Sequence, residues 1–194
     1  GSDERRLLFG DFMKAEGSDY LPMPDLNALI EKTQSMLEDF NAMSKKPMEL
    51  VIFPFAVEHV CRVLRVIKQP FGNALLVGVG GSGKQSLTRL AGFIGGCEIF
   101  QIKLTSSYNM VDWKEDLRSI YLKAGVKSIP TVFLFTDQHV FKEAALIFLN
   151  DILSLGYPPG LFADEDKDTI RNGVRNDAKT AGVFDSPDTL WEFF

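Results

Sequence analysis

Residues 74–91 read Ala74-Leu75-Leu76-Val77-Gly78-Val79-Gly80-Gly81-Ser82-Gly83-Lys84-Gln85-Ser86-Leu87-Thr88-Arg89-Leu90-Ala91. The apolar run Ala74 to Val77 predicts a strand, the glycine-rich stretch a tight turn, and Leu87 onward a helix. That order is the one a phosphate-binding P-loop needs, and the spacing of Gly78, four residues, then Gly83-Lys84 fits it. Glycines let the backbone turn sharply and aim several N–H groups into one small volume. The helix that follows adds the positive end of its dipole. Lys84 is placed to reach the β- and γ-phosphates of a nucleotide. The last motif position is ordinarily serine or threonine, whose hydroxyl holds Mg2+; here it is Gln85. An ordinary strand-to-helix turn has no need of four glycines within six residues, since each one costs backbone entropy.

Size and composition set the outer bounds. The chain has 194 residues, enough for one domain of moderate size or a piece of a larger protein. Hydrophobic residues make up 45% and charged residues 24%, which suits a globular chain with a core. The net charge of −5 gives no reason to expect nucleic acid as a partner. No apolar stretch reaches the roughly 18–20 residues of a membrane span, and a signal-peptide pattern is not apparent. Cys61 and Cys97 are the two cysteines, too few for a disulfide framework or a metal-ligand cluster, and they point to a reducing, cytosolic setting.

Outward from the P-loop, helices and apolar runs alternate. After a lead-in over residues 1–20 and a loop ending Leu21-Pro22-Met23-Pro24, Asp25 caps a predicted helix over 26–42. Leu26, Leu29, Ile30, Thr33, Leu37 and Phe40 form its inner face. Lys45-Lys46-Pro47 breaks the chain. The apolar segment Met48 to Phe55 precedes a helix over 56–68, with Val57, Val60, Cys61, Leu64 and Ile67 inward. His59 falls off that stripe and reads as an ordinary surface histidine. Gly95-Gly96 ends the P-loop helix. A strand is expected over 98–104, and then a helix over 110–122 carrying Val111, Leu117, Ile120 and Tyr121 inward. Thr131-Val132-Phe133-Leu134-Phe135-Thr136-Asp137 lacks alternation and predicts a strand buried on both faces. Helices follow over 141–155, 164–179 and 188–194. The alternation gives an α/β class with a parallel sheet flanked by helices.

A P-loop works with an aspartate at the end of an apolar strand, which holds the metal. Asp137 fits that role. Many such ATPases place a glutamate next, to take the proton of the attacking water. Here the next residue is Gln138, which can hold a water but cannot take its proton. Ser86 is one residue late to replace the missing hydroxyl, and Glu143 is too far along the next helix to replace the base. Phosphate binding through Lys84 and backbone N–H groups is therefore expected, with slow or absent hydrolysis.

Taken together, Gly78 to Ala91 and Val132 to Gln138 resemble the fourth AAA+ module of an axonemal dynein heavy chain. Leu8-Phe9-Gly10-Asp11-Phe12, Leu50-Val51-Ile52-Phe53 and Lys68-Gln69-Pro70 extend the resemblance over nearly the whole chain. It implies an AAA+ P-loop fold, incomplete at the C-terminus, with residues 1–47 as lead-in segment and helix and 48–194 as a partial large subdomain. It implies a regulatory module of a microtubule motor ring that binds ATP or ADP, with Mg2+ as the accompanying ion. In that family Leu50, Val51 and Ile52 match the adenine-pocket segment, and Lys84 and Asp137 match the two Walker residues. Gln85 and Gln138 depart from the general AAA+ pattern. Implied partners are adjacent AAA+ modules of the same heavy chain, microtubules through the whole motor, and dynein intermediate and light chains indirectly. The implied location is the cytoplasm, in the cytoskeleton of a ciliary or flagellar axoneme.

Four other readings compete. An active ATPase contributing to force generation differs by its turnover. A P-loop kinase should keep serine or threonine after Lys84, and a GTPase should show an Asn-Lys-x-Asp signature; neither is visible. A vestigial ring module would bind no nucleotide, against which the retained Lys84 and Asp137 argue.

Overall fold

The computed structural model describes residues 8–13, 20–23 and 25–194. The predicted lead-in residues Arg5, Arg6 and Leu7 and the loop residue Pro24 lie outside them. The chain divides into two compact units, residues 1–99 and 100–194.

In the first unit, β1 (Phe9–Gly10) pairs antiparallel with β2 (Leu21–Pro22). This small hairpin has no counterpart in the sequence pattern, because two residues per strand are too few to show alternation. Helix α1 (Leu26–Met43) begins where Asp25 accepts a hydrogen bond from Ala28 N at 3.0 Å. Its buried residues are Leu29, Thr33 and Leu37, the predicted stripe. Helix α2 (Pro54–Ile67) starts with proline at its first turn, where the missing N–H costs nothing. It buries Val57, Val60, Cys61, Val63 and Leu64 against Leu29, Leu37 and Leu90. Full burial of one such aliphatic side chain is worth about 1.5–3 kcal/mol, so this face dominates the unit. Lys68, at the end of α2, reaches back to Asp11 across 2.5 Å. Phe40 of α1 meets Phe93 of α3 (Lys84–Ile94) edge to face, with centroids 5.5 Å apart.

Burial pushes the Cys61 thiol up to about 11, and the Glu58 carboxylate adds to the shift. The unfolded thiol ionises near 9.0 while the folded one keeps its proton to about 11. Across that window the unfolded state binds fewer protons, so folding stability falls as pH rises. The loss attributable to this group is at most about 3 kcal/mol. Melting Cys61→Ala and the parent chain between pH 8.5 and 11 is expected to show a shallower alkaline decline for the variant. Equal slopes would count against it.

In the second unit, β3 (Glu98–Phe100) leads in from the boundary, and β4 (Thr131–Phe133) forms the other strand of a two-stranded sheet. Leu134 N donates to Phe100 O at 2.8 Å. Helix α4 (Met110–Tyr121) lies in the connection between them and opens with a reciprocal cap between Asn109 and Asp112. Trp113 and Leu117 are its buried residues, not Val111, which is 72% exposed. Val111 is two positions from Trp113, about 200° round the helix, so the two cannot share a face. The helix closes in a π-helical turn over Leu122–Val126. Helices α5 (Glu143–Leu155), α6 (Asp164–Thr180) and α7 (Pro187–Phe193) follow. Tyr121 Oη donates to Gly156 O at 2.6 Å and Arg118 Nε to Leu161 O at 2.8 Å, so α4 holds the loop between α5 and α6. Among the described residues no helix is long and apolar enough to cross a membrane.

The sheet is smaller than the sequence pattern predicts. Ala74 to Val77 forms no ladder, and Leu75 and Val77 are 90% and 87% exposed. The expected strands over 98–104 and 131–137 shrink to three residues each, and β4 is half-buried. A strand is defined by its hydrogen-bonded neighbour, and an apolar run with no partner on either edge stays merely extended. The described residues thus show a mixed arrangement of helices and two small sheets, not a wide parallel sheet.

Candidate functional site

The glycine-rich stretch folds around the Lys84 ammonium. Gly81 and Gly83 take the left-handed conformation, at φ +75° and +77°. Gly83 caps α3, so Lys84, Gln85 and Ser86 supply first-turn N–H groups without partners inside the helix. Leu87 N closes the first helical bond to Gly83 O at 2.8 Å. Lys84 Nζ donates to Gly78 O at 2.6 Å, Val79 O at 2.7 Å and Ser82 Oγ at 3.0 Å. One cation therefore gathers both ends of the loop. Thr88 Oγ1 bonds back to Lys84 O at 2.8 Å and anchors the turn on its buried side.

Within the same unit Leu50 lies beside this turn. A Cβ placed on Gly83 would stand 4.0 Å from both Leu50 Cδ2 and Leu87 Cγ. Leu50 and Ile52 are half-buried against the core, whereas Val51 is 81% exposed. Gly78 to Ser86 and Leu50 are thus brought together, with Val51 offering apolar surface to solvent. Gln85 is exposed and Ser86 half-buried.

Asp137 and Gln138 belong to the second unit. They open a 3-10 turn, Asp137–His139, and both are exposed. His139 closes the turn and is 8% exposed. Its Nδ1 accepts from Thr136 N at 2.9 Å, and its Nε2 lies 3.1 Å from the Gln101 side-chain amide. Neither His139 nor Gln101 is visible to motif reading. The one available signal was a histidine two residues after Asp137.

Among the described residues no group of three or more His, Cys, Asp or Glu side chains is gathered to hold a cation. A single exposed carboxylate fits the other mode of Mg2+ binding, in which the ion keeps water, takes phosphate oxygens and uses one or two carboxylates. Asp137 would be that carboxylate. The amide of Gln85 offers a neutral oxygen where a hydroxyl is usual.

The loop closed on its lysine, at the head of a helix, belongs to a P-loop protein. The chain is a member of the family of P-loop-containing dynein motor region D4, whose model matches residues 48–194. It is similar to the dynein beta chain of the flagellar outer arm of Chlamydomonas reinhardtii, 47% identical over 200 residues, covering 99% of this chain and 4% of that protein. It is 46% identical over 175 residues to dynein axonemal heavy chain 9 of Homo sapiens, covering 90% of this chain and 4% of that one. The ciliary dynein beta chain of Heliocidaris crassispina is 46% identical over 178 residues, again 90% and 4%. The chain thus spans about 4% of the length of these relatives.

Proposed function

We propose that the chain is a regulatory AAA+ module of an axonemal dynein motor that binds ATP or ADP and hydrolyses it slowly or not at all. The observation that carries this is the Gly78–Gly83 loop wrapped on Lys84 Nζ at the start of α3. Backbone N–H groups and one ammonium can hold phosphates without a metal. Leu50, Val51 and Ile52 supply the apolar surface for the base. Asp137 would hold Mg2+, which when bound neutralises phosphate charge. Gln138 can orient a water but has no basic site for its proton. Residues 1–47 serve as lead-in segment and helix, and residues 48–194 as part of the large AAA+ subdomain, a division supported by the range of the family match. The partners are adjacent modules of the same heavy chain and, through the whole motor, microtubules of an axoneme.

Calorimetric titration with ATP and ADP, with and without Mg2+, tests the reading. The expected result is saturable binding that changes little with Mg2+ and releases negligible phosphate. Gln138→Glu is expected to raise phosphate release, since it restores a proton acceptor, a group worth typically 100- to 10,000-fold when well placed. Rapid turnover by the parent chain would identify an active ATPase. A folded chain that binds neither nucleotide would identify a vestigial module.

A further inference from the structure

The turn that carries Asp137 and Gln138 is tied down by a residue the nucleotide reading does not use. A backbone N–H can only donate, so His139 Nδ1 must present its lone pair to Thr136 N. The neutral ring then carries its hydrogen on Nε2. That nitrogen is 3.1 Å from Gln101 Nε2, so the amide must be turned by 180° for its oxygen to accept from the ring. The Thr136 hydroxyl lies 3.1 Å from Nδ1 and can donate to the same lone pair. The bonds His139 N to Thr136 O, Val140 N to Asp137 O and Phe141 N to His139 O are local. The His139–Gln101 contact spans 38 positions in sequence and joins the residue after β3 to the end of the β4 run. The Phe135 ring packs against the imidazole at a tilt, with centroids 5.6 Å apart.

We propose that His139 and Gln101 are positioning residues, a latch across the carboxyl ends of β3 and β4 that fixes the backbone of Asp137 and Gln138. The ligand this serves rests on the nucleotide reading above; the latch itself does not. With it closed, Asp137 and Gln138 point from a single turn conformation. With it open, the turn frays, and both side chains lose their aim.

The test begins without nucleotide. Nitrogen-15 spectra of the full chain should show His139 as the Nε2–H tautomer. Backbone order parameters at Asp137 and Gln138 should be those of rigid backbone, about 0.85. In His139→Leu they should fall below about 0.6, and His139→Asn, whose carbonyl can accept the Thr136 N–H, should restore them in part. Should His139→Leu lose cooperative melting, Gln101→Leu cuts only the Nε2 side and carries the same test. An Nδ1–H tautomer, or a turn still rigid without the imidazole, overturns the latch. A second arm uses Gln85→Ser, which returns a hydroxyl to the loop and should make ATP binding Mg2+-dependent. Adding His139→Leu should weaken the Mg2+-dependent part about tenfold or more, as loss of an outer-shell partner does. An unchanged Mg2+ effect overturns the positioning role. If Gln85→Ser binds no ATP, the nucleotide reading falls and takes that role with it, while the tautomer and the order parameters still decide the latch.

Discussion

Lys84→Ala is expected to remove ATP and ADP binding at concentrations that saturate the parent chain. The side chain supplies the one ammonium bonded within the loop among the described residues, and its Nζ already lies between Gly78 O, Val79 O and Ser82 Oγ. Charge-assisted hydrogen bonds contribute about 1.5–3 kcal/mol each. Two of them to phosphate oxygens amount to at least about 3 kcal/mol, or roughly a hundredfold or more in Kd. Alanine also ends the tether that gathers the loop, so the N–H groups lose their common direction. Stability should change far less, because the ammonium is held at the surface. Calorimetry and a thermal melt on the same sample separate the two effects. A variant that binds like the parent would show that the nucleotide, if any, is held elsewhere.

The second large effect is structural. Gly72→Ala is expected to destabilise the first unit by at least about 3 kcal/mol, in the class of substitutions that force backbone apart. A Cβ there would overlap the Val66 carbonyl oxygen and crowd Gln69 O. Both are backbone atoms at the end of α2, engaged in the turn where Gly72 N bonds to Gln69 O at 3.0 Å. No rotamer change relieves that clash. The neighbouring Phe71 is already held at φ +55°, so the turn has no slack to pass on. Gly80→Ala is the control: nothing lies within 4 Å of its added methyl, and its stability should stay within about 0.5 kcal/mol of the parent. Urea unfolding followed by far-ultraviolet circular dichroism reads both variants. Equal midpoints would mean that the turn at 69–72 rearranges freely.

Much of the helical framework was legible because each helix carries its own punctuation. Asp25 before Leu26, and Gly95 and Gly156 after α3 and α5, mark ends that local backbone chemistry enforces, whereas α2 begins at Pro54, two residues before the expected start. The glycine turn was legible for the same reason, since few other uses call for that many glycines before a lysine. Strands were not, because a strand needs a neighbour that no local pattern specifies. Ala74 to Val77 has the right residues and no ladder. The face of α4 was misjudged for a third reason. Val111 and Leu117 are both apolar, but the burial of Trp113 among Phe133, Phe135 and Phe141 sets the rotation of the helix. His139 escaped notice because its partner Gln101 is distant in sequence, and a lone histidine carries no spacing to read.

The aromatic packing has an optical consequence. Both tryptophans of the chain, Trp113 and Trp191, lie in the second unit, and Trp113 is fully shielded from solvent. The half that holds the glycine loop is therefore dark in tryptophan emission. Tryptophan emission reports on the second unit, whereas far-ultraviolet circular dichroism reports on the helices of both. By the same token, any shift in emission on adding nucleotide cannot arise from the loop itself. It would come from the surroundings of Trp113 or Trp191, within residues 100–194.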